Sequence, residues 1–256
     1  MELAGKTAVV TGAGSGIGRA SAQAFGAGGA SVLVADVDES GGRETVALIE
    51  KDGGTARFCQ VDVTDPDQLE AMLADAEAAF GGVDVLHNNA GIVVGEPLWP
   101  DTDARRLMLQ CSINLTSVVV GTKLAVPYLG RGGGGAVVNT ASMASVLPLV
   151  DEPAYSATKA GVLMFTKTCA GMEASHNIRV TAVLPGLVKT ALIEKTGDGT
   201  RPAAWVDMAG SFMAWQTAED VAEVVVDLAC NGSGGESRFV SDVPEGLLEL
   251  IRAGMP

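Results

Sequence analysis

Short β-branched apolar runs recur along the chain: TAVVT (7–11), SVLVA (31–35), ARFCQV (56–61), VDVLH (83–87), AVVNTA (136–141) and IRVTAV (178–183). They are too short and too uniformly apolar for amphipathic helices, and they predict strands buried on both faces. Stretches with helical spacing lie between them. Ala20, Ala24 and Phe25 mark the first, Val46, Leu48 and Ile49 the second, and Leu69, Met72, Leu73 and Ala76 the third. Thr64-Asp-Pro-Asp before Leu69 supplies a cap and an early proline, and Thr217-Ala-Glu-Asp before Val221 has the form of a capping box. Strand and helix alternating in this way predict an α/β fold, a parallel sheet covered by helices on both faces. No linker, repeat or break in composition divides the 256 residues, so a single domain over 1–256 is expected; RGGGG (131–135) reads as a flexible connection.

Composition narrows the function classes. Hydrophobic residues make up 47% and charged ones 19%, enough for a large core. The 17 basic against 31 acidic residues give a net charge of −14, which argues against nucleic acid or an anionic membrane as partner. Cys59, Cys111, Cys169 and Cys230 are far apart, and with only two histidines they predict no metal site and no disulfide framework. The stretch MELAGKTAVV has no long apolar core followed by a cleavage site, and no uninterrupted apolar run has the roughly 18 residues of a membrane span. A cytoplasmic protein is the expectation.

The first strand runs into TGAGSGIG (11–18), with a helical pattern after it. Unpaired N–H groups at a helix start and a backbone without Cβ atoms suit a pyrophosphate. The glycines do not fit G-x-G-x-x-G, and no Gly-Lys-Ser/Thr follows, so a Walker phosphate loop is excluded. Asp36 ends the second strand, eighteen residues past Gly18. An acid at that place accepts hydrogen bonds from the adenosine ribose hydroxyls and repels a 2′-phosphate. Neither Ser15 nor Val37 offers a basic side chain, so NAD is expected rather than NADP. In YSATK (155–159), Tyr155 and Lys159 are four apart and share a helix face. An ammonium beside a phenol lowers a pKa that is otherwise about 10, which suits acid–base work.

With these residues in view, the chain resembles the short-chain dehydrogenase/reductase family over most of its length. The family's T-G-x-x-x-G-x-G is matched by Thr11 to Gly18, its N-N-A-G by Asn88 to Gly91, its helix asparagine by Asn114 in SINLTS, and its serine by Ser142 in NTASMAS. Tyr155 and Lys159 follow, and P-G-x-V-x-T is matched by Pro185 to Thr190. The resemblance implies a Rossmann-like doubly wound parallel sheet of about seven strands. It implies that Gly12, Ser15, Gly16, Ile17 and Gly18 surround a pyrophosphate, that Asp36 holds the adenosine ribose, and that Asp62 and Val63 touch adenine. Asn89, Ala90 and Gly91 would line the cofactor cleft, with Pro185, Gly186, Val188 and Thr190 around the nicotinamide. Tyr155 would be the acid–base residue and Ser142 would hydrogen-bond the substrate oxygen. Lys159 would hold the ribose and lower the tyrosine pKa, and Asn114 would hold a water in a proton relay. A homodimer through the helices carrying Asn114 and Tyr155, or a homotetramer, is implied as well.

The chain departs from the family's usual T-G-x-x-x-x-V-D-G-G ending. RFVSDV (238–243) reads as a last strand and PEGLLELIRAG (244–254) as a short helix. The segment at about 190–216 has no strand pattern and holds Trp205, Met208, Phe212, Met213 and Trp215. It is expected to form a lid over an apolar substrate, with Val93, Val94, Leu147, Pro148 and Val150 as the opposite wall. A small hydrophobic secondary alcohol or ketone is thus the expected substrate, oxidised or reduced with NAD(H). The alternatives are an NADP-dependent ketone or ketoacyl reductase and a non-catalytic protein that senses the cofactor.

Overall fold

The computed structural model describes residues 1–197, 201–210 and 214–240, without the side chains of Trp205, Met208 and Ala209. Nine strands and ten helices follow one another within these residues. The first half comprises β1 (Thr7–Thr11), α1 (Gly16–Ala27), β2 (Ser31–Asp36), α2 (Glu39–Lys51), β3 (Thr55–Gln60), α3 (Pro66–Phe80) and β4 (Val85–Asn88). Then come α4 (Ala104–Cys111), a π-helical turn (Ser112–Thr116), α5 (Ser117–Arg131), β5 (Gly135–Thr140), a 3-10 turn (Met143–Ser145) and α6 (Pro153–Thr168). The rest are α7 (Met172–His176), β6 (Ile178–Leu184), β7 (Leu187–Val188), α8 (Ala191–Glu194), α9 (Ala204–Gly210), β8 (Trp215–Gln216), α10 (Ala218–Asn231) and β9 (Ser237–Phe239).

Seven strands form one parallel sheet in the order β3-β2-β1-β4-β5-β6-β9, while β7 and β8 pair apart from it. The fold is therefore the doubly wound α/β architecture. The chain steps outward from β1 to β3, returns to place β4 against β1, and then steps outward the other way. That reversal opens a crevice at the carboxyl ends of β1 and β4, where such sheets bind ligands.

Alternate strand residues feed two cores. Ala8, Val10, Val32, Val34, Val85 and Val138 meet Phe25 of α1, Ile49 of α2 and Val221, Val225 and Leu228 of α10. Val9, Leu33, Leu86, Val137 and Val180 meet Leu69, Met72 and Leu73 of α3 and Ala125 and Leu129 of α5. Burial on both faces explains why β1, β2 and β4 read as continuous apolar runs. ARFCQV differs from that expectation: β3 is an edge strand, and its residues alternate between exposed and half-buried.

The predicted helix starts are present. Asp65 caps α3 by accepting from the Asp67 and Gln68 N–H groups, with Pro66 as the first helical residue. Thr217 and Asp220 form a reciprocal capping box on α10. The stretch Ala104–Arg131 is one 28-residue helical segment, long and apolar enough by length and composition to cross a membrane. In the fold α5 packs against α3, β4 and β5, so the sheet accounts for its apolar side. The strand at RFVSDV covers only Ser237–Phe239 among the described residues. PEGLLELIRAG lies outside them.

Phe25 is fully buried where α1, the sheet and α10 meet. Phe25→Ala should lower the unfolding free energy in a urea titration by about 3–5 kcal/mol. A loss under about 1 kcal/mol would mean that this interface is not close-packed.

Candidate active site

The glycine turn places its glycines for different reasons. Gly12 has φ +64, and a Cβ there would lie 2.9 Å from the Ala90 Cα, so the end of β1 touches the loop after β4 backbone to backbone. Gly16 has φ +51 and borders the cleft beside Thr190. A Cβ on Gly18 would lie 2.1 Å from the Gly12 carbonyl oxygen. Gly18 thus seats α1 against the turn and does not line the cleft, unlike Gly12, Ser15, Gly16 and Ile17. Ser15 starts α1 without a side-chain cap, which leaves the first-turn N–H groups available to an anion.

Asn88 to Gly91 continue from β4. The Asn89 and Ala90 N–H groups both donate to the Thr11 hydroxyl, and the Asn89 side-chain amide donates to the Thr11 carbonyl. Asp36 also faces the cleft, its Oδ2 accepting from the Gly14 N–H at 2.7 Å and its Oδ1 from the Asp38 N–H at 2.9 Å. Val37, Asp62 and Val63 extend the same end, with the Asp62 carboxylate turned onto the Thr64 N–H and hydroxyl. Arg19 was missed as a neighbour of this turn. Its Nη2 donates to the Gly14 carbonyl and the Glu44 carboxylate, both at 2.6 Å.

At the other end, Ser142 caps the 3-10 turn, its Oγ accepting from the Ala144 N–H while Ser145 Oγ accepts from the Ser142 N–H. The Ser145 hydroxyl donates to the Lys159 carbonyl, which ties this turn to α6. Tyr155, in the first turn of α6, is hydrogen-bonded to Ser142. Lys159 Nζ donates to the Thr140 carbonyl at 2.8 Å and sits 5.8 Å from the Tyr155 ring centroid. Nothing in the pattern of the sequence singled out Thr140 for that contact.

The tyrosine pKa differs from the expectation. Burial is the largest influence and pushes it up to about 12, the Ser142 hydrogen bond pulls it down, and Glu152 raises it again. Burial pushes Lys159 down to about 8. The ammonium is spent on a carbonyl rather than on the phenol, so the pair shares a face without the downward pull that proximity alone predicts. Asn114 sits in the π-helical turn, fully buried, and clamps Ile92: its Oδ1 accepts from the Ile92 N–H and its Nδ2 donates to the Ile92 carbonyl, both at 2.8 Å. It is one layer behind the cleft, near Gly91 and Lys159. A π-helical turn at such a site is a common functional device.

One cavity of about 550 Å³ runs from Asp36 past Gly12 and Ala90 to Ser142, Tyr155 and Lys159. Pro185, Gly186, Val188, Thr190 and α8 close its third side. The Met143 N–H donates to the Pro185 carbonyl, and the Gly186 N–H to the Gln216 side chain. Of the expected apolar wall, Val93 and Leu147 line the cavity; Val94 is buried behind it, and Pro148 and Val150 are exposed. Met143, Leu149 and Ile193 complete that wall. Of the expected lid, Thr190 to Ile193, Lys195 and Thr196 border the cavity, while Phe212, Met213 and the side chains of Trp205 and Met208 lie outside the described residues. Glu152, one turn before Tyr155, lines the cavity too, although only its helical spacing from Tyr155 could have drawn notice.

The sequence profile of the short chain dehydrogenase family matches residues 6–200. The chain belongs to that family. It is 40% identical over 209 residues to 3β-hydroxysteroid dehydrogenase 1 of Eggerthella lenta, covering 79% of this chain and 78% of that protein. It is 37% identical over 236 residues to cis-4-hydroxycyclohexanecarboxylate dehydrogenase of Sinomonas cyclohexanicum, covering 90% and 92%. A crystal structure of a short-chain dehydrogenase/reductase from Mycobacterium marinum superposes with a TM-score of 0.83 at 29% identity, covering 93% and 94%. As a family member the chain is an oxidoreductase of hydroxyl and ketone groups that uses a nicotinamide cofactor. The residues fit that cofactor: a turn in which Gly12 and Gly16 border the cleft without side chains, uncapped helix N–H groups and a cleft leading from an acid to a Tyr–Lys pair.

Glu152 is buried, and burial raises its pKa from 4.5 to about 7. The unfolded chain releases this proton near 4.5 and the folded protein holds it until about 7, so stability is full below 4.5 and declines as pH rises through 7. The loss amounts to on the order of 3 kcal/mol. Glu152→Gln should remove it, and the variant's advantage over wild type in unfolding free energy should grow between pH 5 and pH 8. A constant difference across that range would mean that Glu152 ionises normally.

Proposed function

We propose that the protein transfers a hydride between NAD(H) and a hydrophobic secondary alcohol or ketone, with Tyr155 as general acid–base. The observation that carries this reading is the convergence of Ser142, Tyr155 and Lys159 on one apolar-walled cleft that begins at Asp36. The relatives' names point the same way, since a hydroxysteroid and a hydroxycyclohexanecarboxylate both carry their alcohol on an alicyclic ring.

A nicotinamide ring in the cleft supplies the hydride acceptor or donor. Ser142 Oγ hydrogen-bonds the substrate oxygen and holds it against the Tyr155 hydroxyl. In reduction the phenol, protonated throughout the neutral range, gives its proton to the forming alkoxide oxygen. In oxidation the phenolate, formed once the phenol has released its own proton to solvent, takes the alcohol proton, and Ser142 and any positive charge brought into the cleft lower the phenol pKa toward that task. Lys159, held by Thr140, presents donors for a ribose hydroxyl, and Asn114 fixes the Ile92 backbone beside them. Gly12, Ser15, Gly16 and Ile17 surround the pyrophosphate, with Gly18 holding the helix behind them. Asp62 and Val63 flank adenine, Asn89 to Gly91 form the floor, and Pro185, Gly186, Val188 and Thr190 hold the carboxamide side.

NAD is favoured over NADP because the Asp36 carboxylate borders the cleft with Val37 beside it, and the Arg19 guanidinium beside the glycine turn is committed to Glu44 and Gly14. Dimerisation through α4, α5 and α6 is supported by Met108, Val119 and Met164, which stand exposed on those helices.

Tyr155→Phe should cut kcat by about 10²–10⁴-fold or more while NADH binding, followed by fluorescence, persists. Undiminished turnover would overturn the mechanism. Asp36→Ser should narrow the NAD over NADP ratio of kcat/KM at least about tenfold, the worth of one hydrogen bond to a charged group. An unchanged ratio would assign ribose reading to another residue.

A further inference from the structure

Glu152 and Lys195 line the cleft without a part in the Tyr–Ser–Lys chemistry or on the cofactor side, and of the two Glu152 is the buried one. It is only 3% exposed, yet it borders the cavity at the start of α6, one helical turn before Tyr155. The Gly95 N–H donates to its carboxyl group. Its Oε1 finds no hydrogen-bond partner among the described residues. Arg106 lends favourable charge, but its Nη1 donates to the Glu96 carbonyl at 3.0 Å. The cavity wall nearby is apolar, made by Val93, Met143, Leu147, Leu149 and Ile193.

An acceptor buried without a partner costs free energy that a leucine or a well-placed glutamine would avoid. The loss is recovered when a bound molecule brings a donor to it. Glu152 also lies close enough to Tyr155 for its charge to act on the phenol. A substrate whose reacting oxygen rests on Ser142 and Tyr155 therefore occupies the same cavity that this carboxyl group borders.

We propose that Glu152 reads a second hydrogen-bond donor on the substrate, so that the cleft selects secondary alcohols carrying another hydroxyl over simple ones. Oε1 is closed off from solvent, so a turn of the carboxyl group presents it to the donor O–H, and the apolar wall packs the carbon frame between the two hydroxyls. The inference rests on the dehydrogenase reading above and names the substrate class for it.

The test compares kcat/KM with NAD for cyclohexanol and for cyclohexane-1,2-, 1,3- and 1,4-diol at pH 8, where the carboxyl group is mainly ionised. The wild type should prefer at least one diol over cyclohexanol by about tenfold or more, the range of a hydrogen bond to a charged acceptor. Glu152→Leu should bring that ratio close to one. Glu152→Gln keeps a neutral acceptor and should retain part of it, about a third or less. NADH titration identifies the variants that are folded, and the ratio within each variant is independent of its overall rate. No diol preference in the wild type, or a preference that survives undiminished in folded Glu152→Leu, overturns the proposal while leaving the dehydrogenase reading intact. Absence of both NADH binding and turnover of all four alcohols overturns the reading beneath it.

Discussion

The cleft depends on one close approach, that of the end of β1 to the loop after β4. A side chain at Gly12 would strike the Ala90 backbone, and one at Gly18 would strike the Gly12 carbonyl, so two glycines bring a strand, a loop and a helix into backbone contact. The Thr11 hydroxyl then collects the Asn89 and Ala90 N–H groups and fixes the loop. Because the sheet reverses direction between β1 and β4, this junction is also the floor of the cavity. The uncapped start of α1 and the loop after β4 meet at it, and the end of β5 is tied to it where the Thr140 hydroxyl donates to the Asn89 side-chain oxygen.

Burial shapes the chemistry laid on that floor. Lys159 and Tyr155 share a helix face, but the ammonium is drawn to the Thr140 carbonyl, and low polarity opposes charge on both groups. Each moves toward neutrality, the phenol by keeping its proton and the amine by losing one more readily. The tyrosine therefore keeps its proton through the neutral range. Asn114 serves this arrangement from behind: a single residue in a π-helical turn grips both polar atoms of the Ile92 backbone, and so sets the loop between the floor and the substrate wall.

That loop also joins the two sides of the substrate end. Gly95 donates to Glu152, a Cβ on it would lie 2.4 Å from the Lys195 carbonyl, and the Glu96 N–H donates to the Gly197 carbonyl. The start of α6, the loop after β4 and the segment following α8 thus meet around one carboxyl group.

The strand runs, the capped starts of α3 and α10, the glycine turn, Asp36 and the Tyr155–Lys159 spacing were legible because each is local: periodicity, caps and helix pitch act within a few residues. The sequence alone thereby determined a parallel sheet with alternating helices, a glycine turn at the start of α1 and a Tyr–Lys pair on one helix face, and its resemblance to the family added the doubly wound order. It did not reveal that β3 lies at an edge, because strand order depends on crossovers between distant segments. It did not show that Gly18 packs α1 onto the Gly12 carbonyl, a contact made between the turn and the helix. The direction of the Tyr155 shift, the hold of Thr140 on Lys159 and the place of Glu152 in the cleft were likewise decided only by tertiary structure. Those properties are set by which distant groups exclude water from a side chain and which carbonyl its charge finds, and neither is written in the spacing of residues along a helix.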